Sequence, residues 1–136
     1  YIHHNQKVGV MVEVACETDF VARGEDFENL LKDLCMHIAA VQPPALGVER
    51  DEVPAEMIDE ERRMLMASDD MQGKPEEIKE KIVHGRIEKF IAERTLLEQE
   101  FVKDPDMKVQ DLVKAVIGKL GENIKVNRFV RFELGD

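Results

Sequence analysis

Two carboxylates separated by a single residue, Glu17 and Asp19, come nearest in this sequence to an acid/base pair. Carboxylates at such a spacing could transfer protons in a hydrolase or hold a cation. A hydrolase would also need a cleft that perturbs their pKa values. An exposed acidic corner has the same composition, so the sequence leaves both interpretations open.

The histidines do not have the spacing of a metal site. They lie at positions 3, 4, 37 and 84, and no two are four residues apart with a third ligand nearby. The sequence also contains no glycine-rich phosphate loop, no nucleophile elbow and no Cys/His catalytic pattern. We therefore expect no catalytic residue, no metal and no cofactor, and a protein that is not an enzyme.

The charge balance favours a protein as the partner. The chain carries 29 acidic and 19 basic residues, a formal net charge of −10, whereas nucleic acids and anionic membranes select basic patches. No signal peptide and no run of about 18 apolar residues is present. Cys16 and Cys35 are interpreted as reduced, buried thiols of a cytoplasmic protein, with a disulfide between them as the alternative.

A predicted strand leads into the acidic corner. Its apolar side chains alternate and share one face: Val8, Val10, Val12, Val14 and Cys16. The strand ends at Glu17, and Thr18 or Asp19 could cap the helix that follows. Phe20 falls at this junction. Its ring is either a staple packed against the next helix or an exposed wedge for a partner.

The two ends of the chain predict a three-stranded antiparallel sheet. Its strands are residues 1–4, 8–16 and 124–133, and a short polar turn joins the first two. Alternation in the last strand places one set of apolar residues on a common face: Ile124, Val126, Val130, Phe132 and Leu134. Arg128 is the exception on that face, and Phe129 interrupts the polar face.

Apolar periodicity predicts helices between these strands. The first two cover residues 27–41 and 54–66, the third begins at Lys74-Pro75, and the last covers residues 109–120. Residues 95–104 are ambiguous. In the third helix, Ile78 and Ile82 are predicted to be buried, and Gly85 on the same stripe predicts a close backbone crossing or a bend. Asp104-Pro105-Asp106 predicts a turn. The whole pattern indicates one α+β domain over residues 1–136, with several helices packed against a small three-stranded antiparallel sheet.

The first long helix offers a second candidate contact surface. If Phe27, Leu34 and Ile38 form its buried stripe, Met36 lies opposite that stripe and Ala40 lies nearby. Methionine is common in adaptable contact surfaces, although an isolated surface methionine gives the same pattern.

Four segments, in order, closely resemble bacterial elongation factor Ts. They are VGVMVEVACETDFVAR from Val8, MHIAA from Met36, GKP from Gly73 and FVRFEL from Phe129. The chain is similar to the short form of the family, in which the strand, the Thr-Asp-Phe corner and the Met-His-Ile-Ala helix occur once. The resemblance implies the family's core, or dimerisation, domain. The N-terminal helical domain that docks on the partner has no match here.

Elongation factor Ts is the guanine nucleotide exchange factor for the GTPase elongation factor Tu, so the resemblance implies promotion of GDP release during translation elongation. It also makes Phe20 a wedge beside the partner's Mg²⁺ and phosphate site. The implied contacts are Thr18, Asp19, Phe20 and Val21 at the corner, and Met36, His37 and Ala40 on the helix. Short members pair through their sheets, which implies a homodimer. The alternative function is an oligomerisation or scaffold module without exchange activity.

Overall fold

The computed structural model describes residues 1–135, which form helices and strands in a mixed class, as predicted. The strands are β1 (Val8–Cys16), β2 (Glu100–Phe101), β3 (Asp104–Lys108) and β4 (Ile124–Glu133). The helices are α1 (Asp19–Ala22), α2 (Glu25–Ala40), α3 (Ala55–Met66), α4 (Glu76–Glu93) and α5 (Val109–Leu120). Short 3₁₀ turns lie at Arg50–Glu52, Asp69–Met71 and Leu96–Glu98.

The prediction that β1 and β4 pair is confirmed, but the predicted three-stranded sheet is wrong. β1 and β4 form a two-stranded antiparallel sheet, and β2 and β3 form a second one. The segment before β1 lies antiparallel to it: Tyr1 exchanges two backbone hydrogen bonds with Val10, and the His3 N–H donates to the Val8 carbonyl. This pairing amounts to a bridge between Ile2 and Gly9 and not to a third strand.

A β-bulge in β4 changes which residues face the core. Glu13 lies opposite Arg128 and Val14 lies opposite Val126, so Asn127 is an extra residue in the ladder. Because side chains alternate along a strand, one extra residue exchanges the two faces beyond it. The prediction that three further apolar residues of β4 share one face with Ile124 and Val126 is therefore wrong. Those residues are exposed: Val130, Phe132 and Leu134.

The main hydrophobic core lies between this sheet and helices α2 and α5. The inward residues of the sheet are Val8, Val10, Ile124 and Val126. The helices contribute Phe27, Leu30, Leu34, Ile38, Val109 and Val113. The spacing in both helices follows the three- and four-residue steps of an amphipathic helix, and their burial on one side of the sheet agrees with the predicted packing.

Helices α3 and α4 form a hairpin with its own small cluster. Its buried residues are Met71, Val83 and Ile87. Ile82 packs partly against this cluster, but Ile78, in the first turn of α4, is exposed and does not belong to the cluster, so its predicted burial is wrong. No atom lies within 4 Å of the Cβ position at Gly85, so the predicted backbone crossing there is wrong.

The predicted turn at Asp104-Pro105-Asp106 is also wrong. The turn consists of Val102 and Lys103, and Asp104 already begins β3. Proline is tolerated there because β3 is an edge strand that needs no further ladder bond from that residue.

Cys16 and Cys35 are both free thiols in this structure. Cys35 is buried, as predicted, and its burial raises the pKa of the thiol, whereas Cys16 is half-buried. Among residues 1–135, the structure has no helix that combines the length and the apolar character needed to cross a membrane.

Candidate partner-binding site

The corner between β1 and α2 is built on the hydroxyl group of Thr18. Thr18 is the N-cap of α1, and its Oγ1 accepts a hydrogen bond from the Val21 N–H at 3.3 Å. The sequence had left the cap open between Thr18 and Asp19, and the structure assigns it to Thr18. Asp19 instead occupies the first turn of α1, where its negative charge is favoured by the helix N-terminus.

Two residues of α1 point in opposite directions. Val21 is buried and anchors the short helix against the main core. Phe20, immediately before it, exposes 87% of its surface. A buried staple is thereby excluded for Phe20, and its ring is the one large apolar side chain exposed among residues 17–23. Exposure of a large aromatic side chain at such a position is typical of a contact surface.

A groove of about 480 Å³ lies beside the Phe20 ring. Its lining includes Phe20, Gly24 and Phe27 on one side and Leu120, the last residue of α5, on the other. The groove is open to solvent next to the most exposed aromatic ring of the corner. The lining also includes the charged residues Arg23, Glu25 and Asp26.

Glu17 and Asp19 are both exposed. They lie on the outside of the corner, so the structure favours the solvated acidic corner over a proton-transfer pair. A second acidic group consists of Glu49, Asp51 and Glu52, whose carboxylate oxygens lie within 4.8 Å of one another. All three are exposed, and Glu52 already accepts a hydrogen bond from the Val48 N–H.

The structure separates the three residues predicted on α2. Ala40 is exposed and Met36 is half-buried, so both present surface to solvent. His37 is fully buried, with no exposed surface. A direct partner contact by the His37 side chain is therefore incompatible with this structure, because α2 turns His37 toward β2 and the β2–β3 turn.

His37 holds several segments together as a neutral imidazole. Its Nδ1 accepts from the Val102 N–H at 3.2 Å, which leaves Nε2 to donate to the Gln99 side-chain oxygen at 3.0 Å. Gln99 in turn donates to the carbonyls of Pro43 and Glu93. Burial lowers the pKa of His37, because the charged form would lose its hydration.

One half of the outer face of the β1–β4 sheet carries a set of exposed large apolar residues. These residues, here called the outer sheet face, are Ile2, Met11, Val130, Phe132 and Leu134. Cross-strand pairing places Met11 opposite Val130 and Gly9 opposite Phe132, and the Ile2 side chain approaches Gly9. At one end of this face, Glu13 and Arg128 form an ion pair of 2.7 Å.

The whole chain, residues 1–136, matches the family model described as Elongation factor TS. The chain belongs to the elongation factor Ts family. The family predicted from the four motifs is therefore confirmed.

Individual members of the elongation factor Ts family are similar over the full chain. A protein named Elongation factor Ts from Herpetosiphon aurantiacus is 56% identical over 135 residues, which are 99% of this chain and 67% of that relative. Relatives of the same name from Synechococcus sp. CC9605 and Prochlorococcus marinus MIT 9301 are 53% and 52% identical over all 136 residues. The chain spans 61% and 62% of their respective lengths.

Sequence reasoning missed one residue of this elongation factor Ts corner. The Thr18 N–H donates to Oε1 of Glu122 at 3.1 Å, and Thr18 Oγ1 donates to Oε2 of the same carboxylate at 2.7 Å. Glu122 lies 104 residues away in the sequence. The only available signal was the pairing of β1 with β4, which brings the end of one strand beside the start of the other.

Proposed function

We propose that this chain contributes the exchange-promoting core of a guanine nucleotide exchange factor that acts on elongation factor Tu. The observation that carries the proposal is the 87% exposure of Phe20 on a capped corner whose neighbouring Val21 is buried. In a protein of this family, such a ring is suited to enter the GTPase domain of the partner. The family membership supplies the identity of that partner.

In the proposed mechanism, Phe20 separates side chains beside the partner's Mg²⁺ and phosphate site, with Thr18, Asp19 and Val21 forming and supporting the same contact. Nucleotide phosphates are held by Mg²⁺ and by backbone amides at a helix N-terminus. Displacing those groups by about an ångström weakens nucleotide binding while every covalent bond stays intact. The proposed activity is therefore a binding function and not an enzymatic reaction.

Thermodynamic linkage sets the direction of exchange. A factor that weakens GDP binding must itself be released more readily when nucleotide binds, by the same coupling free energy. The factor consequently accelerates exchange in both directions, and the more abundant nucleotide, GTP, determines the product. Translation takes place in the cytoplasm, so this function places the protein there.

A second contact is proposed on α2, formed by Met36 and Ala40. Both present surface to solvent, and a flexible methionine adapts readily to a partner. The buried His37 is not included as a direct contact. Its proposed contribution is to fix α2 against the β2–β3 turn, so that Met36 and Ala40 keep their positions.

Release of labelled GDP from elongation factor Tu is the direct test. Phe20→Ala should lower the maximal release rate by about 30-fold, because a contact of hot-spot strength, about 2 kcal/mol, is lost from the state in which the nucleotide is being displaced. Asp19→Ala should lower it only several-fold, because a charge at the rim adjusts binding while the ring displaces the partner's side chains. Met64→Ala, which removes an exposed apolar side chain from α3, is the matched control.

The melting temperature of the same variants separates an interface from a core residue. Phe20→Ala should melt within about 2 °C of the wild-type chain, since it truncates a side chain already in water. A large loss of stability with exchange retained per folded molecule would show that Phe20 supports the fold. That result would remove the central element of the proposed mechanism.

We also propose that the outer sheet face joins two copies of this chain in a homodimer. The face is apolar, and its Glu13–Arg128 ion pair offers both charges, so a twofold copy can exchange these partners across the axis. Light scattering at tens of micromolar should give a dimer, and Phe132→Glu should give a monomer. Met64→Glu, which adds the same charge on α3, should leave the dimer intact. A monomeric wild-type chain would refute the interface.

An oligomerisation or scaffold module without exchange activity is the second candidate function, and the outer sheet face is the observation that favours it. The two candidates make different demands on Phe20. A scaffold needs the outer sheet face and is indifferent to Phe20, whereas an exchange factor requires the Phe20 ring. A dimeric wild-type chain that leaves GDP release from elongation factor Tu unchanged would establish the scaffold function.

A further inference from the structure

We propose that Glu122 is a positioning residue for nucleotide exchange, because it holds the Phe20 corner in its active geometry through Thr18. The inference rests on the proposed function of that corner. Its basis is the pair of hydrogen bonds that both Glu122 carboxylate oxygens accept from Thr18, at 3.1 Å from the N–H and 2.7 Å from Oγ1. Glu122 is half-buried and is separated from Phe20 by Thr18 and Asp19, so it acts through Thr18.

The strand register explains why Glu122 reaches Thr18. Cys16, the last residue of β1, lies opposite Ile124, the first residue of β4. Continuing this antiparallel ladder by two residues in each strand would place Thr18 opposite Glu122. Backbone pairing stops there, and the Glu122 side chain accepts the Thr18 N–H that a strand carbonyl would otherwise accept. The strands therefore end while the corner remains attached to the sheet.

Gly121 directs the chain toward this contact. It ends α5 in the left-handed conformation, with φ of 70°, and its N–H donates to the Ile117 carbonyl at 2.8 Å. A left-handed residue reverses the chain direction at a helix end, and glycine adopts it without strain. The reversal places Glu122 between the end of α5 and the start of β4, beside the end of β1.

A continuous set of hydrogen bonds then runs from Glu122 to the first turn of α1. Glu122 orients the Thr18 hydroxyl by accepting a hydrogen bond from it, and the same Oγ1 accepts from the Val21 N–H. Because the Thr18 hydroxyl donates to the carboxylate, its lone pairs face the helix. Hydrogen bonds to a charged acceptor are stronger than neutral ones, so this side chain fixes the cap more firmly than a neutral residue.

The corner needs such support because α1 is only four residues long. Isolated helices shorter than about 12 residues are marginal in water, so α1 depends on its cap and on the burial of Val21. Phe20 itself supplies no stabilisation, since it is exposed. Without Glu122, we expect the corner to populate its present geometry only part of the time.

Partial population of a binding-competent corner has a specific kinetic signature. The apparent affinity falls by the competent fraction, whereas the rate at saturation is unchanged. Glu122→Ala should therefore raise the half-saturating concentration for GDP release about tenfold or more and leave the maximal rate nearly unaffected. Phe20→Ala should lower the maximal rate and leave the half-saturating concentration nearly unchanged, because it removes the group that displaces the partner's side chains.

The first experiment measures the free chain and needs no partner. Amide hydrogen exchange by NMR should show about tenfold lower protection at the Thr18 N–H in Glu122→Ala. Glu122→Gln retains a carbonyl that accepts this N–H and should restore much of the protection. Glu60→Ala removes one negative charge from an exposed site on α3 and should leave the Thr18 protection unchanged.

The second experiment measures GDP release from elongation factor Tu with the same variants of this chain. The half-saturating concentration should rise in the order wild type, Glu122→Gln, Glu122→Ala, with Glu60→Ala equal to wild type. Lower Thr18 protection without a rise in this concentration would overturn the positioning role. Unchanged protection of the Thr18 N–H in Glu122→Ala would show that Glu122 does not hold Thr18. If the wild-type chain does not accelerate GDP release from elongation factor Tu, the proposed function fails. Lower Thr18 protection in Glu122→Ala would then still support the hydrogen bonding of Thr18 to Glu122.

Discussion

The body of the molecule and the α3–α4 hairpin are packed very differently. Within residues 1–135, the body buries sixteen apolar residues from the sheet, α1, α2, α5 and the connecting loops in one cluster. The hairpin buries three, Met71, Val83 and Ile87. The Phe20 corner is anchored through Val21 to the larger cluster, so its geometry depends on the body and not on the hairpin.

Charged contacts attach the hairpin to the body. Arg50, in the loop before α3, forms ion pairs with Glu88 of α4 and with Glu98 just beyond it. Both carboxylates hydrogen-bond to the Arg50 guanidinium, and the Arg50 contact lowers the pKa of Glu88. Elements with little buried apolar surface open at lower free energy than a main core. The comparison predicts a stable body that carries a less stable hairpin.

Phe27→Ala should produce the largest effect. Phe27 is buried in the main cluster at the first turn of α2, and truncating a buried phenylalanine costs about 3–5 kcal/mol. Urea unfolding followed by circular dichroism should show this loss in a single transition. A loss below about 1 kcal/mol would contradict the claim that the core around Phe27 supports the corner.

Ile87→Ala should have a smaller and more local effect. We expect a cost of about 2 kcal/mol, because the thin cluster around Ile87 can collapse around the vacated space. Hydrogen exchange should increase in residues 55–93, while protection in β1 and β4 stays at its wild-type value. Equal loss of protection in both regions would show that the hairpin and the body unfold as one unit.

The pH dependence of stability should report the His37 network in the body. The imidazole has an ordinary pKa of 6.5 in the unfolded chain, and burial lowers it in the folded protein. Between those two values the unfolded state binds more protons than the folded state. The contribution of His37 to the free energy of unfolding is therefore fully present above about pH 6.5 and falls as the pH drops below it. One such group gives a slope of at most about 1.4 kcal/mol per pH unit.

Urea unfolding at several pH values between 5 and 8 measures this slope. His37→Gln retains hydrogen-bonding capacity without a titrating group, so its stability should vary less with pH over this range. An equal slope in both proteins would assign the effect to other groups. The network touches the hairpin at the Glu93 carbonyl, at the end of α4, so acid should loosen the body and this end of α4 before the rest of the hairpin.

Arg50→Ala should have the smallest effect. Its ion pairs are largely exposed, and such pairs contribute little after solvent screening, so the melting temperature should fall by no more than about 3 °C. The wild-type melting temperature should approach that of the variant as salt is added. A large decrease that salt does not affect would indicate a packing role for the Arg50 stem.

Local patterns were sufficient for most elements of this fold. The alternation of Val8 and Val10 predicted β1, and the periodic apolar residues predicted α2 and α5, because one buried face dominates each of these segments. Ile78 and Gly85 in α4 show the limit. That helix is packed on one side by a single short neighbour, so burial there depends on where α3 lies and not on the period alone.

The candidate site was only partly predictable for the same reason. The polar residues after β1 indicated a corner and a cap, but the hydrogen bonds from Thr18 to Glu122 join segments that are distant in the sequence. His37 lies in a motif that suggested a surface contact, yet its neighbours in space, Gln99 and Val102, come from segments more than 60 residues away. Neither outcome is encoded in the local pattern.

The bulge at Asn127 divides β4 into two halves whose apolar side chains lie on opposite faces of the sheet. Glu13 holds it in place, with one carboxylate oxygen accepting from Asn127 at 3.3 Å and the other from Arg128 at 2.7 Å. Before the bulge, the apolar side chains of β4 face the core. After it, Phe132 faces solvent, while Arg131 turns inward and donates to the Ala39 carbonyl. Removing this one residue would reverse the sidedness of the downstream half, sending phenylalanine under α2 and arginine into solvent. A single inserted amino acid thus lets one strand belong to a core and to an exposed apolar surface at once.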